Sequence, residues 1–224
     1  MRRWLFEQSL SIVFLVLFLA SLVGQSVAGY LEHNEQAAAH GSETLSYGRY
    51  LYSSDFGQAV MENWQSEYLQ FTLFIFATIW LVQKGSNESN PEADAGLESD
   101  QRQLIGGYAP ENAPRWARAR GWRMHVYSNS LLLVMGLIFF GSWAAHSVTS
   151  WNVFNEGKRE HEQATVAWGE HLTRPDFWEQ TLQNWQSEFL AIATMAVFTI
   201  YLRQHGSPES KPVGAPHGDT GASG

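Results

Sequence analysis

The segment Asn63-Trp64-Gln65-Ser66-Glu67 returns as Asn184-Trp185-Gln186-Ser187-Glu188, and each copy opens an apolar run. At the same spacing Ser9-Leu10 aligns with Ser130-Leu131, His40 with His161, Gly48 with Gly169, and Asp55-Phe56 with Asp176-Phe177. Further along, Thr78-Ile79 meets Thr199-Ile200, and Gln83, Gly85-Ser86 and Glu88-Ser89 meet Gln204, Gly206-Ser207 and Glu209-Ser210, with no gap anywhere. One register kept through two apolar runs and a long loop reads as a tandem duplication, in which each copy is one supersecondary unit. The folding problem reduces to what a single unit does twice.

Each unit carries two apolar runs. Ser9 to Tyr30 and Ser130 to Trp151 are long enough to cross a bilayer, which takes about 20 apolar residues. Tyr68 to Val82 and Phe189 to Leu202 are shorter. They reach that length only if the crossing begins near Trp64 and Trp185, which draws Gln65, Glu67, Gln186 and Glu188 into the outer boundary of the membrane. A hydrophobic share of 45% exceeds what a small soluble core needs, although polar loops and tails pull the mean hydropathy to -0.23 and conceal the spans. The expected fold is an all-α membrane protein with four transmembrane helices, arranged as two tandem αα-hairpins of one orientation. Such hairpins are related by a pseudo-two-fold axis along the membrane normal.

The expected boundaries follow. Residues 1–83 form the first hairpin, with spans near 9–30 and 64–83 and an outer loop over 31–63. Residues 84–121 form a linker, and 122–205 the second hairpin, with spans near 130–151 and 185–204 and an outer loop over 152–184. In each hairpin the first helix is expected to run on past the membrane, and the second to start near Asp55 or Asp176 and, in the first hairpin, to reach Gln83. Ser53, Ser54 and Thr173 are the candidate N-caps, and Pro175 suits a first turn. The linker, with Pro91, Pro110, Gly106 and Gly107, reads as mobile, and the tail over 206–224 as disordered.

Charge sets the orientation. Arg2, Arg3, Lys84, Arg115, Arg118, Arg120, Arg123 and Arg203 flank the runs on one side, against Arg49, Lys158, Arg159 and Arg174 on the other. The positive-inside rule then places both termini and the linker in the cytoplasm. Residues 114–123, basic and bearing Trp116 and Trp122, suit the inner membrane face, while Tyr30, Trp64, Trp151 and Trp185 suit the outer interface. Ser26-Val27-Ala28 resembles a signal cleavage site, but the matching run at Ser130 to Trp151 cannot be a signal, which favours an uncleaved first span.

The residues able to carry chemistry are few. Glu67 and Glu188 are candidates for an intramembrane polar site together with Asn63, Asn184, Gln65, Gln186, Gln25 and His146. A carboxylate at that depth is costly unless hydrated, paired or protonated, so two readings stand open. Either the Glu pair binds a proton or cation, or each Glu bonds the neighbouring helix as a packing contact. His146 replaces Gln25 of the first unit and is expected at the depth of Glu188, where either a His–Glu pair titrating in the physiological range or an uncharged packing hydrogen bond fits, the second being the favoured expectation. His33, His40, His161 and His171 stand among external glutamates without a zinc spacing, so no metal or other cofactor is expected. Cysteine is absent, and no phosphate loop, nucleophile elbow or nucleotide fingerprint occurs.

Three stretches carry a family resemblance: Asn63-Trp64-Gln65-Ser66-Glu67-Tyr68-Leu69-Gln70, Gln83-Lys84-Gly85-Ser86-Asn87-Glu88-Ser89, and Ser21-Leu22-Val23-Gly24-Gln25. Together they resemble a family of small bacterial membrane proteins described as a domain of unknown function. The resemblance covers nearly the whole chain and implies a bacterial inner-membrane protein with four spans. It brings no catalytic residue.

The functional expectation is a non-enzymatic scaffold or accessory subunit whose partners are the lipid bilayer and another membrane protein or a second copy of itself, with no nucleic acid involved. The alternative is a small proton- or cation-handling transporter or channel using Glu67 and Glu188. A weaker alternative is an envelope sensor of pH or metal built on the external His and Glu side chains.

Overall fold

A computed structural model describes residues 2–221. Its architecture is all-α, with no strand among the described residues. The helices are α1 (Arg2–Glu7), α2 (Ser9–Ala39), α3 (Tyr47–Leu51), α4 (Ser54–Ala77), α5 (Trp122–Ser128), α6 (Ser130–Glu160), α7 (Trp168–His171) and α8 (Pro175–Tyr201). Two short 3-10 turns, Glu92–Asp94 and Gly106–Tyr108, lie between α4 and α5. The two long first helices run well past their apolar stretches, as expected. Both α2 and α6 are 31 residues long and apolar enough to cross a membrane, with mean hydropathies of 2.3 and 1.8 over their most apolar windows. α4 and α8 carry the polar Asn-Trp-Gln-Ser-Glu segments and are not among the helices with that property.

The chain divides into two compact units, one of Met1–Val60 with Val148–Val166 and one of Met61–Ser147 with Ala167–Gly224. In the first, α2 is folded back on by the loop after it. Asn34 takes both backbone groups of Leu45, its Nδ2 donating to the carbonyl at 2.9 Å and its Oδ1 accepting the amide at 2.7 Å. Asn155 treats Val166 in the same way, at 3.0 and 2.9 Å, and Trp151 Nε1 adds a bond to the same carbonyl at 2.8 Å. A side-chain amide matches a peptide group in both donor and acceptor, so it closes a loop that has no strand or helix to satisfy it. Tyr50 fills the core here, packed on Tyr30, His33 and Phe56. Gly29 is required beneath it, because the Tyr50 hydroxyl occupies the space that a Cβ would take.

In the second unit Leu69, Phe139, Phe177 and Ile200 form the apolar core. Trp143 stacks on Phe139 at 5.9 Å and meets Trp178 and Trp185 at 6.1 and 5.7 Å, so aromatic contacts knit α6 to α8. Trp168 Nε1 donates to Ser147 Oγ at 3.3 Å, as the Tyr47 hydroxyl bonds Ser26 Oγ at 2.7 Å in the other unit.

Three expectations need correction. α4 stops at Ala77 instead of Gln83, where Thr78 bonds back to the carbonyls of Phe74 and Ile75 and the backbone turns through Trp80. The linker is tied down, with Gly96 donating to Ile79 at 2.6 Å and Gly106 to Ala117 at 2.8 Å.

The tail is not a structureless appendage either. Lys211 is buried, and its Nζ donates to the carbonyls of Gly85, Pro216, His217 and Asp219 at 2.6, 3.1, 3.0 and 3.1 Å. An ammonium has three protons and strong hydration, so four convergent carbonyls replace the water it loses. Gly85 accommodates this with φ +85, and a Cβ there would strike the His217 carbonyl. The tail residues 222–224 lie outside the described residues.

Candidate functional site

The two Asn-Trp-Gln-Ser-Glu segments lie in the middle of α4 and α8, and the parts of both that matter belong to the second unit. On α4 the inward residues are Gln65, Ser66 and Leu69, one turn of a single stripe. Gln65 is fully buried, and its Oε1 accepts the indole N–H of Trp185 at 2.7 Å. Asn184 Nδ2 donates to Glu62 Oε1 at 2.7 Å and to the Gln180 carbonyl at 3.0 Å. Ser66 Oγ shares its proton between the Asn63 carbonyl at 3.0 Å and Glu188 Oε1 at 3.5 Å, the second being a long contact. These three side-chain links join α4 to α8, and each is drawn from the repeated segments or the residue just before one.

The copies are used unequally. Gln65 and Ser66 are buried, whereas Gln186 and Ser187 are exposed, and Ser187 only bonds back to the Asn184 carbonyl. Asn63 and Glu67 face outward, and Glu188 is half-buried. Trp64 and Trp185 are also half-buried. Glu62, not singled out in the sequence, takes the place beside Asn184. Burial pushes its carboxyl above the ordinary range, opposed by the Asn184 hydrogen bond and reinforced by Glu179. Its only signal in the sequence was its position one turn before Gln65 and Ser66.

Around this helix pair several buried polar atoms lack a hydrogen-bond partner among the described residues: Gln65 Nε2, Thr181 Oγ1 and Trp143 Nε1. Each is an apolar-packed polar group whose burial carries a cost. His146 is fully buried and stacks on Phe177 at 5.7 Å, and Phe177 also receives the edge of His171 at 5.6 Å. Burial and then Arg174 hold the His171 imidazole below its usual value, with Asp176 acting against them. Gln25, the counterpart of His146 on α2, belongs to the first unit and is exposed.

The aromatic residues assigned to interfaces behave differently from one another. Tyr30 packs on Tyr47 and Tyr50, and Trp151 bonds Val166. Trp116 and Trp122 are exposed, touch edge-on at 6.2 Å, and Arg123 lies 5.6 Å from the Trp122 ring. Among the described residues no group of three or more His, Asp or Glu side chains is placed to hold a metal ion.

A family model described as a domain of unknown function, DUF6766, matches residues 1–222. The chain belongs to the DUF6766 family. The match takes in both Asn-Trp-Gln-Ser-Glu segments, the linker and nearly all of the tail, so the DUF6766 domain is the whole of the described chain. No curated protein and no solved structure matches it.

Proposed function

We propose that this DUF6766 chain is a multi-pass protein of a bacterial inner membrane, with four spans in two tandem hairpins and both termini cytoplasmic. In that membrane it serves as a non-enzymatic scaffold or accessory subunit for another membrane protein. The duplication is supported by bonds that recur at the repeat spacing. Asn34 with Leu45 is matched by Asn155 with Val166, and the Gln83 amide on Ser89 Oγ by the Gln204 amide on Ser210 Oγ, both at 2.9 Å.

The observation that carries the scaffold reading is the use made of the polar segments: Trp185 on Gln65, Asn184 on Glu62 and Ser66 on Glu188 tie helix to helix. Polar side chains in membrane helices commonly serve as such glue. Many exposed side chains of α2 and α6 are apolar, including Phe14, Leu15, Phe18, Leu133 and Leu137, which suits lipid or a neighbouring span.

Purification of the tagged chain from its native membrane in mild detergent tests the reading. A stoichiometric membrane partner that survives a second, differently tagged purification supports it. A chain that repeatedly purifies alone contradicts it.

A second reading is a small proton or cation carrier. Its support is the Ser66–Glu188 contact, together with Gln65 Nε2 and Thr181 Oγ1 of the same helix pair, both buried without a hydrogen-bond partner among the described residues. Flux in proteoliposomes that is lost in Glu188→Gln would favour it, and absence of flux in the parent chain removes it.

A further inference from the structure

Residues 114–123 close into a small loop just before α5. The Ala117 amide donates to the Pro114 carbonyl at 3.0 Å and the Ala119 amide to that of Trp116 at 3.1 Å. Gly121, at φ +67, then turns the chain into α5, a backbone conformation that favours glycine. The closure brings Trp122 back beside Trp116, with ring centroids 6.2 Å apart.

The two sides of this loop differ in chemistry. Ala117 is buried and its carbonyl accepts the Gly106 amide at 2.8 Å, while Ala113 and Ala119 are half-buried. Arg115, Trp116, Arg118, Arg120, Trp122 and Arg123 are all exposed. None of the four arginines forms an ion pair among the described residues. Arg118 reaches the Ala113 carbonyl at 3.3 Å, and Arg123 lies over the Trp122 ring. The carboxylates of Glu98 and Asp100 line a cleft together with Pro114, Ala117 and Met124, and none of the arginines belongs to that lining. Across residues 110–129 the four arginines stand against Glu111 alone. The outward side is therefore cationic and aromatic, with its charge unspent.

Its position says what it meets. The Asn129 amide bonds the His125 carbonyl at 3.2 Å and the Leu133 amide the Asn129 carbonyl at 2.9 Å, so helical bonding carries from α5 into α6. At 1.5 Å per residue, Trp122 stands at most about 14 Å from Leu131, where the exposed apolar surface of α6 begins. Val126 and Tyr127, both exposed, lie between them. A bilayer that takes up the apolar stretch of α6 meets the loop at the level of its headgroups, where aromatic rings collect and phosphates lie. A guanidinium matches a phosphate in both charge and geometry.

We propose that the outward side of this loop is a docking surface for anionic phospholipid, with Arg115, Arg118, Arg120 and Arg123 on the headgroups and the Trp116–Trp122 pair at the interface. The helical link to α6 favours lipid over a nucleic acid. The inference rests on α6 lying in a membrane, and needs neither a protein partner nor four spans.

Lipid competition tests it. The tagged full chain, held on resin in mild non-ionic detergent, is equilibrated with micelles carrying equal amounts of phosphatidylglycerol and phosphatidylcholine, and the retained lipids are counted by mass spectrometry. One arginine near an anionic membrane surface changes binding about fivefold, so the parent should retain phosphatidylglycerol in at least about fivefold excess. Arg115→Gln, Arg118→Gln, Arg120→Gln and Arg123→Gln together should abolish the excess, and the four matching lysine substitutions should keep most of it. Arg49→Gln, in the first unit, should leave it unchanged. Circular dichroism and size exclusion matching the parent confirm that the variants fold. A parent that retains both lipids alike overturns the proposal, as does an excess that survives in the glutamine variant. So does an excess erased by inorganic phosphate at matched ionic strength, which marks a free-phosphate site, or retention of single-stranded RNA in place of any lipid preference. A parent chain recovered from cells in the soluble fraction would overturn the membrane reading along with this inference, whereas a membrane-bound chain without lipid preference overturns the inference alone.

Discussion

Trp185 and Gln65 provide the sharpest energetic test of how α4 and α8 are joined. Their hydrogen bond is 2.7 Å long, with Gln65 fully buried and its Nε2 already without a partner among the described residues. Trp185→Phe leaves both polar ends of Gln65 buried and unsatisfied, a cost of about 1–3 kcal/mol, to which lost contact with Phe139 and Trp143 adds. Gln65→Met keeps the shape and removes the orphaned Nε2 along with the acceptor, so its cost should be smaller, about 1 kcal/mol. The double variant leaves no stranded partner and should be less destabilised than the sum of the singles. Interhelical bonds in membranes average about 0.6 kcal/mol and reach about 1.7, so a coupling near 1 kcal/mol is expected for a bond this short and buried. Reversible unfolding in mixed micelles, followed by far-ultraviolet circular dichroism, measures all four species. Single-variant costs that add to within about 0.3 kcal/mol would refute the reasoning, because independent sites behave that way.

Other outcomes follow from the same contacts. Asn34→Ala should cost about 1–3 kcal/mol by stranding both backbone groups of Leu45, and should speed hydrogen exchange at Leu45 while sparing Val166; Asn155→Ala should do the reverse. Lys211→Met removes the ammonium from its four carbonyls, and proteinase K should then cut between Pro212 and Asp219 several-fold faster than in the parent. Glu156 titrates above its ordinary 4.5 in the folded chain, through burial and then Asp55. The folded state thus holds more protons than the unfolded one in the window just above 4.5, and stability falls as pH rises through it. Glu156→Gln should flatten that segment of a stability–pH curve, and an unchanged slope would contradict the assignment.

The long helices were legible because their signal is local. α2 and α6 follow from uninterrupted apolar runs, and α8 from Pro175 and Asp176 at its first turn. What periodicity could not reveal was tertiary satisfaction of polar groups. Asn34 looked like one more polar residue on an extended helix, yet it substitutes for a missing peptide partner at Leu45. Lys211 looked like part of a Gly- and Pro-rich tail, and its role depends in part on the carbonyl contributed by Gly85, far away in the chain.

The repeated segment illustrates both sides of this. Its recurrence was evident, and the helices that carry it were placed correctly near their starts. That Gln65 turns inward while Gln186 turns outward depends on which face each helix presents to its neighbours, and identical letters do not encode that. The early end of α4 at Ala77 has the same origin: Thr78 carries a hydroxyl able to bond back, but so does Thr199, inside α8.

Four spans require α4 and α8 to cross as well as α2 and α6, which among the described residues are the two helices apolar enough to pass for spans. The absence of cysteine makes single-cysteine labelling direct. Chains carrying Ser42→Cys, Ser99→Cys or Gln163→Cys are treated with a membrane-impermeant maleimide in intact spheroplasts. With four spans, Ser42→Cys and Gln163→Cys label from outside and Ser99→Cys labels only after lysis. Labelling of Ser99→Cys from outside, with Gln163→Cys protected, would mean that only α2 and α6 cross and would contradict the account.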